Sequence, residues 1–336
     1  MTEKNILVVG GAGYIGSHVT LALRDNGYLP VVYDNFSTGH TDACFGTAVV
    51  DGHLSEVEKL VRVMRDHRID GVIHLAALIE AGASVLDPLA FYRNNVCGTV
   101  CLLEAMQIVG VSRLVFSSTA AVYGDGADGT VLSERNTRDP VNPYGHSKAM
   151  VETILASAAS AYGLQSIALR YFNAAGADKL ARTGERHDPE THLIPLVIQA
   201  ALGLRPDIKI FGADYDTPDG TCIRDYIHVS DLAAGHIAAY EHLCRQKGGT
   251  SQSFNLGTGV GHSVRQVIDQ VAKISGRDFA VQEMERRAGD PQFLVADPSL
   301  AKSTLGWSPE FSDLNTIISD AWRYARKQQD LRSAKD

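Results

Sequence analysis

The run "NILVVGGAGYIGSH", residues 5–18, limits the fold of this chain more than any other stretch. "NILVVG" reads as a buried strand, and the periodicity from Tyr14 reads as an amphipathic helix ending at Gly27. Between them Gly10, Gly13 and Gly16 stand three apart, and Gly11 to Gly16 also satisfies GxGxxG. Glycines here permit a tight turn, a close approach of backbone to a pyrophosphate, and close helix–strand packing. The helix N-terminus then offers free N–H groups to the phosphates. The next strand, "PVVYD" (30–34), ends on Asp34, 18 residues after Gly16. A carboxylate there accepts from a ribose 2′-OH and repels a 2′-phosphate, which favours NAD over NADP.

Further strands are expected at 48–50, 71–77, 113–119 and 165–172, alternating with helices at 56–67, 88–109 and 143–162. Continuous apolar strands separated by helices specify an α/β fold with a doubly wound parallel sheet of the Rossmann type. Ligands then bind outside the carboxyl ends of the strands. After Phe172 the rhythm breaks into the polar run "NAAGADKLARTGERHDPETH". A smaller second lobe is expected over 173–336, with 222–256 returning to the first lobe (1–172). The segment 224–243 reads as a strand and a helix capped by Ser230 or Asp231. The last helix is expected to fray at its charged end.

Two motifs lie where the crevice should be. In "NPYGHSK" (142–148), Asn142 can cap a helix and Pro143 suits its first position. Tyr144 and Lys148 then share one face, one turn apart. A phenol titrates near 10, so acting as a base at neutrality needs about three units of depression, roughly 4 kcal/mol. Lys148, the helix N-terminus and a positive nicotinamide ring can each contribute. In "FSSTAAVYG" (116–124), Ser117, Ser118 and Thr119 end the fifth strand. A hydroxyl there can bond the oxygen that Tyr144 deprotonates, or merely cap a turn.

The composition excludes several other classes. The formal net charge is −8 and no basic run exceeds two residues, which argues against a nucleic-acid surface. Five cysteines (Cys44, Cys97, Cys101, Cys222 and Cys244) include no CxxC pair, so a reducing, intracellular compartment is expected. The start shows no signal-peptide pattern, and no apolar run reaches membrane-spanning length. Twelve histidines occur without HExxH or paired spacing, so no metal site is expected.

Together the glycine turn, the Ser/Thr cluster and YxxxK resemble the extended short-chain dehydrogenase/reductase family. "YDNFSTGH", "NNVCGT", "LRYFNAAGA", "DGTCIRDYIHV" and "NLGTGVGHSV" extend the resemblance over nearly the whole chain, towards its nucleotide-sugar C4 epimerases. The resemblance implies NAD-dependent 4-epimerisation of a UDP-hexose through a transient 4-keto sugar, with no net redox, in a cytoplasmic homodimer. It assigns catalysis to Tyr144, Lys148 and Thr119. It places the cofactor against Gly10, Gly13, Tyr14, Ile15 and Gly16, then against Asp34, Asn35, His53 and Leu54. Leu75, Ala76, Ala77, Asn95, Ser117 and Tyr171 complete that set. Substrate contacts fall to Ser118, Thr119, Phe172, Asn173, His192 and Leu193, with Arg224, Arg287 and Asp290 holding the UDP.

The chain departs from many relatives at Ile79, His53 and His192. Leu294 stands where some carry a tyrosine beside the sugar, which implies room for an N-acetyl group. UDP-N-acetylhexosamines and UDP-pentoses are therefore alternative substrates. Ala120 and Ala121 follow Thr119, so elimination chemistry lacks its acid. An NAD-binding regulator on the same fold is the non-enzyme alternative.

Overall fold

The computed structural model describes residues 4–124, 129–287 and 290–333. In chain order the first half contains β1 (Asn5–Val9), α1 (Tyr14–Asp25), β2 (Leu29–Asp34), β3 (Ala48–Asp51), α2 (Val57–Asp66) and β4 (Gly71–His74). There follow α3 (Ala81–Leu86), α4 (Pro88–Phe91), a π-helical turn (Tyr92–Cys97), α5 (Gly98–Val109), β5 (Arg113–Thr119), α6 (Pro143–Tyr162) and β6 (Gln165–Tyr171). The remainder comprises β7 (Asn173–Ala175), α7 (Leu193–Ala201), β8 (Asp207–Phe211), β9 (Ile223–His228), α8 (Val229–Arg245) and β10 (Thr250–Leu256). It closes with β11 (Gly261–Ser263), α9 (Val264–Ser275), β12 (Ala280–Met284), β13 (Phe293–Leu294), α10 (Ser299–Leu305) and α11 (Leu314–Ser333).

Seven parallel strands form the main sheet in the order β10-β6-β5-β4-β1-β2-β3. The order reverses between β1 and β4, so the loops leaving those strands diverge and open a crevice. One face is buried under α2, α5 and α6, the other under α1, α8 and α10. A third apolar cluster, from α7, β8, α9 and α11, forms the core of the smaller lobe. Segment 222–256 divides between the two: β9 pairs with β7, β11 and β13, whereas α8 covers the main sheet and β10 extends it beside β6. No helix among the described residues is long and apolar enough to cross a membrane.

Two local expectations change. The 88–109 pattern is not one α-helix but carries the π-helical turn, which accommodates one extra residue. The cap of α8 is neither Ser230 nor Asp231. His228 Nδ1 accepts from Ser230 N at 3.0 Å, and buried Asp231 accepts from Glu310 N, Phe311 N and Ser312 Oγ instead. The last helix is described through Ser333, and the end of its charged tail, where fraying was expected, lies outside the described residues.

The helix carrying Tyr144 is fixed at several points. Asn142 Oδ1 accepts from Gly145 N at 2.9 Å, Pro143 opens the first turn, and Gly163 closes the helix at φ +79°. One turn past Lys148, Glu152 is buried against β5 and β6. It accepts from Arg170 Nε at 2.9 Å and Nη2 at 2.5 Å, from Ser118 Oγ at 2.6 Å, and from Arg138 at 3.2 Å. Burial alone raises a carboxyl pKa, but the arginines and Ser118 outweigh it and hold Glu152 below its ordinary value. Glu152→Ala strands the buried Arg170 charge and is expected to cost about 3–5 kcal/mol in chemical denaturation.

Candidate active site

The carboxyl ends of β1, β4, β5 and β6 surround a cavity of about 310 Å³, within the usual size range of small-molecule sites. Gly10 turns at φ +81°, where a Cβ would lie 2.5 Å from Ala76 N. At Gly16 a Cβ would lie 2.0 Å from the Gly10 carbonyl oxygen, so only glycine lets α1 start this close to β1. A Cβ on Gly13 would meet only Gly10 O, at 3.6 Å. Its bare backbone therefore faces the cavity at the N-terminus of α1. This is a cradle for a pyrophosphate, and the residues present fit a dinucleotide.

Asp34 Oδ2 accepts from Ala12 N and Oδ1 from Phe36 N, both at 2.9 Å, so the acid also holds the glycine turn in place. Of the expected cofactor residues, Gly10, Gly13, Tyr14, Ile15, Gly16, Asp34, Asn35, His53, Leu54, Leu75, Ala76, Ala77, Tyr144 and Tyr171 line the cavity. So do Thr119, Phe172, Asn173 and His192 from the substrate set.

Several expected residues lie elsewhere. Asn95 is buried, and its amide is spent on Leu78 N, Leu78 O and Ser147 Oγ at 2.9–3.0 Å; Asn94 lines the cavity instead. The π-helical turn produces this exchange, because its extra residue changes which side chains face inward. Strand alternation turns Ser118 away from the cavity and onto Glu152. Leu193 packs into the small-lobe core. Arg224 and Asp290 form an ion pair outside the cavity lining, and Arg287 stacks over the Phe211 ring at 3.7 Å. Sequence reasoning passed over Ser37, Thr38, Leu78, Asn94, Ala174 and His187, all in the lining. Ser37, Thr38, Asn94 and Ala174 lie inside the quoted motifs "YDNFSTGH", "NNVCGT" and "LRYFNAAGA", whereas Leu78 and His187 carried no such signal.

Ser117 is also fully buried and outside the lining. Its Oγ lies 2.9 Å from His236 Nε2, while His236 Nδ1 lies 2.8 Å from Leu232 O. Burial lowers His236 to about 4, so the ring is neutral. A carbonyl can only accept, so Nδ1 carries the proton and Ser117 donates to Nε2. The Ser117 carbonyl accepts from Lys148 Nζ at 2.8 Å.

Tyr144 and Lys148 are both buried, and the ammonium lies 6.0 Å from the phenol ring centroid. Burial raises the Tyr144 phenol above 10.0, with the Thr119 hydroxyl pulling it down. The lysine Nζ is directed to Ser117 O. Burial lowers Lys148 itself to about 7, with Glu152 opposing.

This lysine sets a pH test. Unfolded, it titrates near 10.4. Its contribution to folding is therefore fully present above about pH 10.4 and is lost as pH falls through about 7. For cofactor-free protein, Lys148→Met is expected to gain thermal stability relative to the parent as pH falls from 10 to 7. Scanning calorimetry across that range checks it; a pH-independent difference would show that the amine is not desolvated.

A Rossmann sheet with a glycine cradle at its switch point, an acid after β2 and a buried Tyr/Lys pair defines a nucleotide-dependent enzyme of the oxidoreductase-like kind. Residues 6–257 match the NAD dependent epimerase/dehydratase family, and the chain belongs to it. The UDP-glucose 4-epimerase of Rhizobium leguminosarum bv. trifolii is 49% identical over 327 residues, covering 97% of this chain and 99% of the relative. Among solved structures, the UDP-glucose 4-epimerase of Brucella ovis in complex with NAD superposes with a TM-score of 0.92 at 48% identity, covering 96% and 98% of the two chains. That of Bifidobacterium longum, in complex with NAD+ and UDP, gives 0.91 at 34% identity, covering 97% and 99%.

Proposed function

We propose that this chain inverts C4 of a UDP-hexose, interconverting UDP-glucose and UDP-galactose with NAD and no net redox. The observation that carries the reading is the joining, in one cavity, of the glycine cradle with Thr119 and Tyr144, in a chain nearly half identical to UDP-glucose 4-epimerases. Bound NAD supplies a hydride acceptor that returns the hydride within the same turnover.

Tyr144 takes the proton from the sugar 4-OH and later gives it back. Thr119 bonds the same oxygen and steadies the phenol. Lys148 acts from behind, fixed to Ser117 O, and orients the cofactor. Because burial keeps the phenol protonated, the positive charge of the oxidised ring is what tunes it. Base strength then appears only when the oxidised cofactor is in place.

In this reading the lobe over 173–336 grips UDP, with Asn173, His192, Leu193, Arg224, Arg287 and Asp290 as its contacts. Arg224 and Asp290, paired with each other, would have to part to reach a diphosphate and a ribose. Firm hold on UDP and loose hold on the hexose lets the 4-keto sugar turn over while anchored. Leu294 and the cavity residue Phe172 both pack against the Val122, Tyr123 and Leu132 cluster, and no tyrosine stands at 294. That favours a second substrate class, UDP-N-acetylhexosamines.

We also infer a homodimer, working in the cytoplasm in galactose metabolism. Val85, Leu86 and Leu89 on α3 and α4, with Ile108 on α5 and Met150 on α6, are exposed apolar residues on the helices flanking the sheet. Sedimentation at micromolar concentration is expected to give a dimer; a monomer throughout overturns that part.

The catalytic reading is tested by following the anomeric protons of UDP-glucose by NMR with NAD present. UDP-galactose is expected to grow to a constant ratio. Tyr144→Phe is expected to lose about 10²–10⁴-fold in rate while still binding NAD. Turnover undiminished in that variant would remove Tyr144 from the reaction. UDP-N-acetylglucosamine left unchanged while UDP-glucose reacts would remove the second substrate class.

A further inference from the structure

We propose that Glu185, His187, Glu190 and His192 form a binding site for one divalent first-row transition cation of the Zn²⁺ type. The sequence, read by spacing, suggested no metal site, and the proposal departs from that reading on the grouping of these four side chains. E-x-H-x-x-E-x-H fits no helical or strand repeat. The residues meet because the irregular loop between β7 and α7 folds back on itself.

The donor atoms of the four side chains lie within 4.8 Å of one another. Glu185 Oε1 is 2.6 Å from His192 Nδ1 and 3.1 Å from His187 Nδ1. Glu190 Oε1 is 3.5 Å from His192 Nδ1 and 3.8 Å from His187 Nδ1. Four ligands placed tetrahedrally at Zn²⁺ bond lengths are about 3.3–3.5 Å apart, and the observed set brackets that spacing.

A second observation is independent of the clustering. His192 Nδ1 is buried and makes no hydrogen bond, although it sits 2.6 Å from a carboxylate oxygen. The carboxylates of Glu185 and Glu190 are 94–95% buried, with exposures of 6% and 5%. Among the described residues neither has a lysine or arginine ion-pair partner, because Arg186 between them turns to Asp42. Two imidazoles with two carboxylates suit a borderline cation such as Zn²⁺ better than Mg²⁺ or Ca²⁺, which favour oxygen alone.

The site has a consequence for the cavity. His187 and His192 also line it, and His192 directly precedes α7. A cation here would lock the loop that walls the cavity, tying its start to the first turn of the helix. The proposal concerns cation binding and stands whether or not the chain epimerises UDP-hexoses.

Full-length protein stripped with a chelator is titrated with Zn²⁺ by calorimetry, and with Co²⁺ followed by its visible absorption. One equivalent per chain is expected, with intense bands of a four-coordinate site and a thermal midpoint raised by Zn²⁺. Glu185→Gln/Glu190→Gln should weaken binding about 100-fold or more, since even outer-shell changes cost 10–100-fold. Absence of saturable binding, or unchanged affinity in the variant, overturns the proposal. If the variant does not fold, crystals of the parent protein grown with Zn²⁺ decide. Anomalous density among the four side chains supports the site, and density only elsewhere or nowhere refutes it.

Discussion

The site rests on how α6 is held against the carboxyl ends of β5 and β6. Two buried contacts one helical turn apart set that position: the Lys148 ammonium on the Ser117 carbonyl, and the Glu152 carboxylate on Arg170. Neither is cheap to bury, and each is satisfied only if helix and strands sit in one relative placement. With α6 so placed, Tyr144 reaches the cavity beside Thr119 without a loop to position it. The glycine turn on the other side of the crevice is fixed as firmly, through Asp34 and the close approach at Gly16. The cavity is thus built between two rigid edges.

Electrostatically, burial works against ionising the Tyr144 phenol. Burial raises the pKa values of Tyr144 and Tyr171, so both phenols stay neutral, and lowers that of Lys148 to about 7. A buried phenol responds strongly to one added charge nearby. The positive ring of an oxidised dinucleotide is such a charge. In the proposed reaction, proton transfer would then be coupled to the oxidation state of the cofactor through the field across the pocket.

Most of the fold was legible because parallel strands buried on both faces write continuous apolar runs, and because Gly10 and Gly16 have a steric reason. The placement of Tyr144 and Lys148 on one helix face followed from their spacing. What spacing could not show is direction in three dimensions. Asn95 and Ser118 are turned inward to structural partners, one by a π-helical turn and one by strand alternation. Lys148 points to a backbone carbonyl, a partner that leaves no trace in sequence. The His/Glu cluster was invisible because an irregular loop has no period. The cap of α8 was misread because a histidine ring took the role of a serine.

The π-helical turn at Tyr92–Cys97 also affects how this region tolerates change. An α-helix advances about 100° per residue, so a single extra residue leaves α4 and α5 about a quarter-turn out of phase. The inward face of 88–91 and that of 98–109 therefore follow different rulers. A one-residue deletion between them would not merely shorten the helix; it would rotate one ruler onto the other. Asn94 and Asn95 would both change the direction they face, so length here is a coordinate of the site.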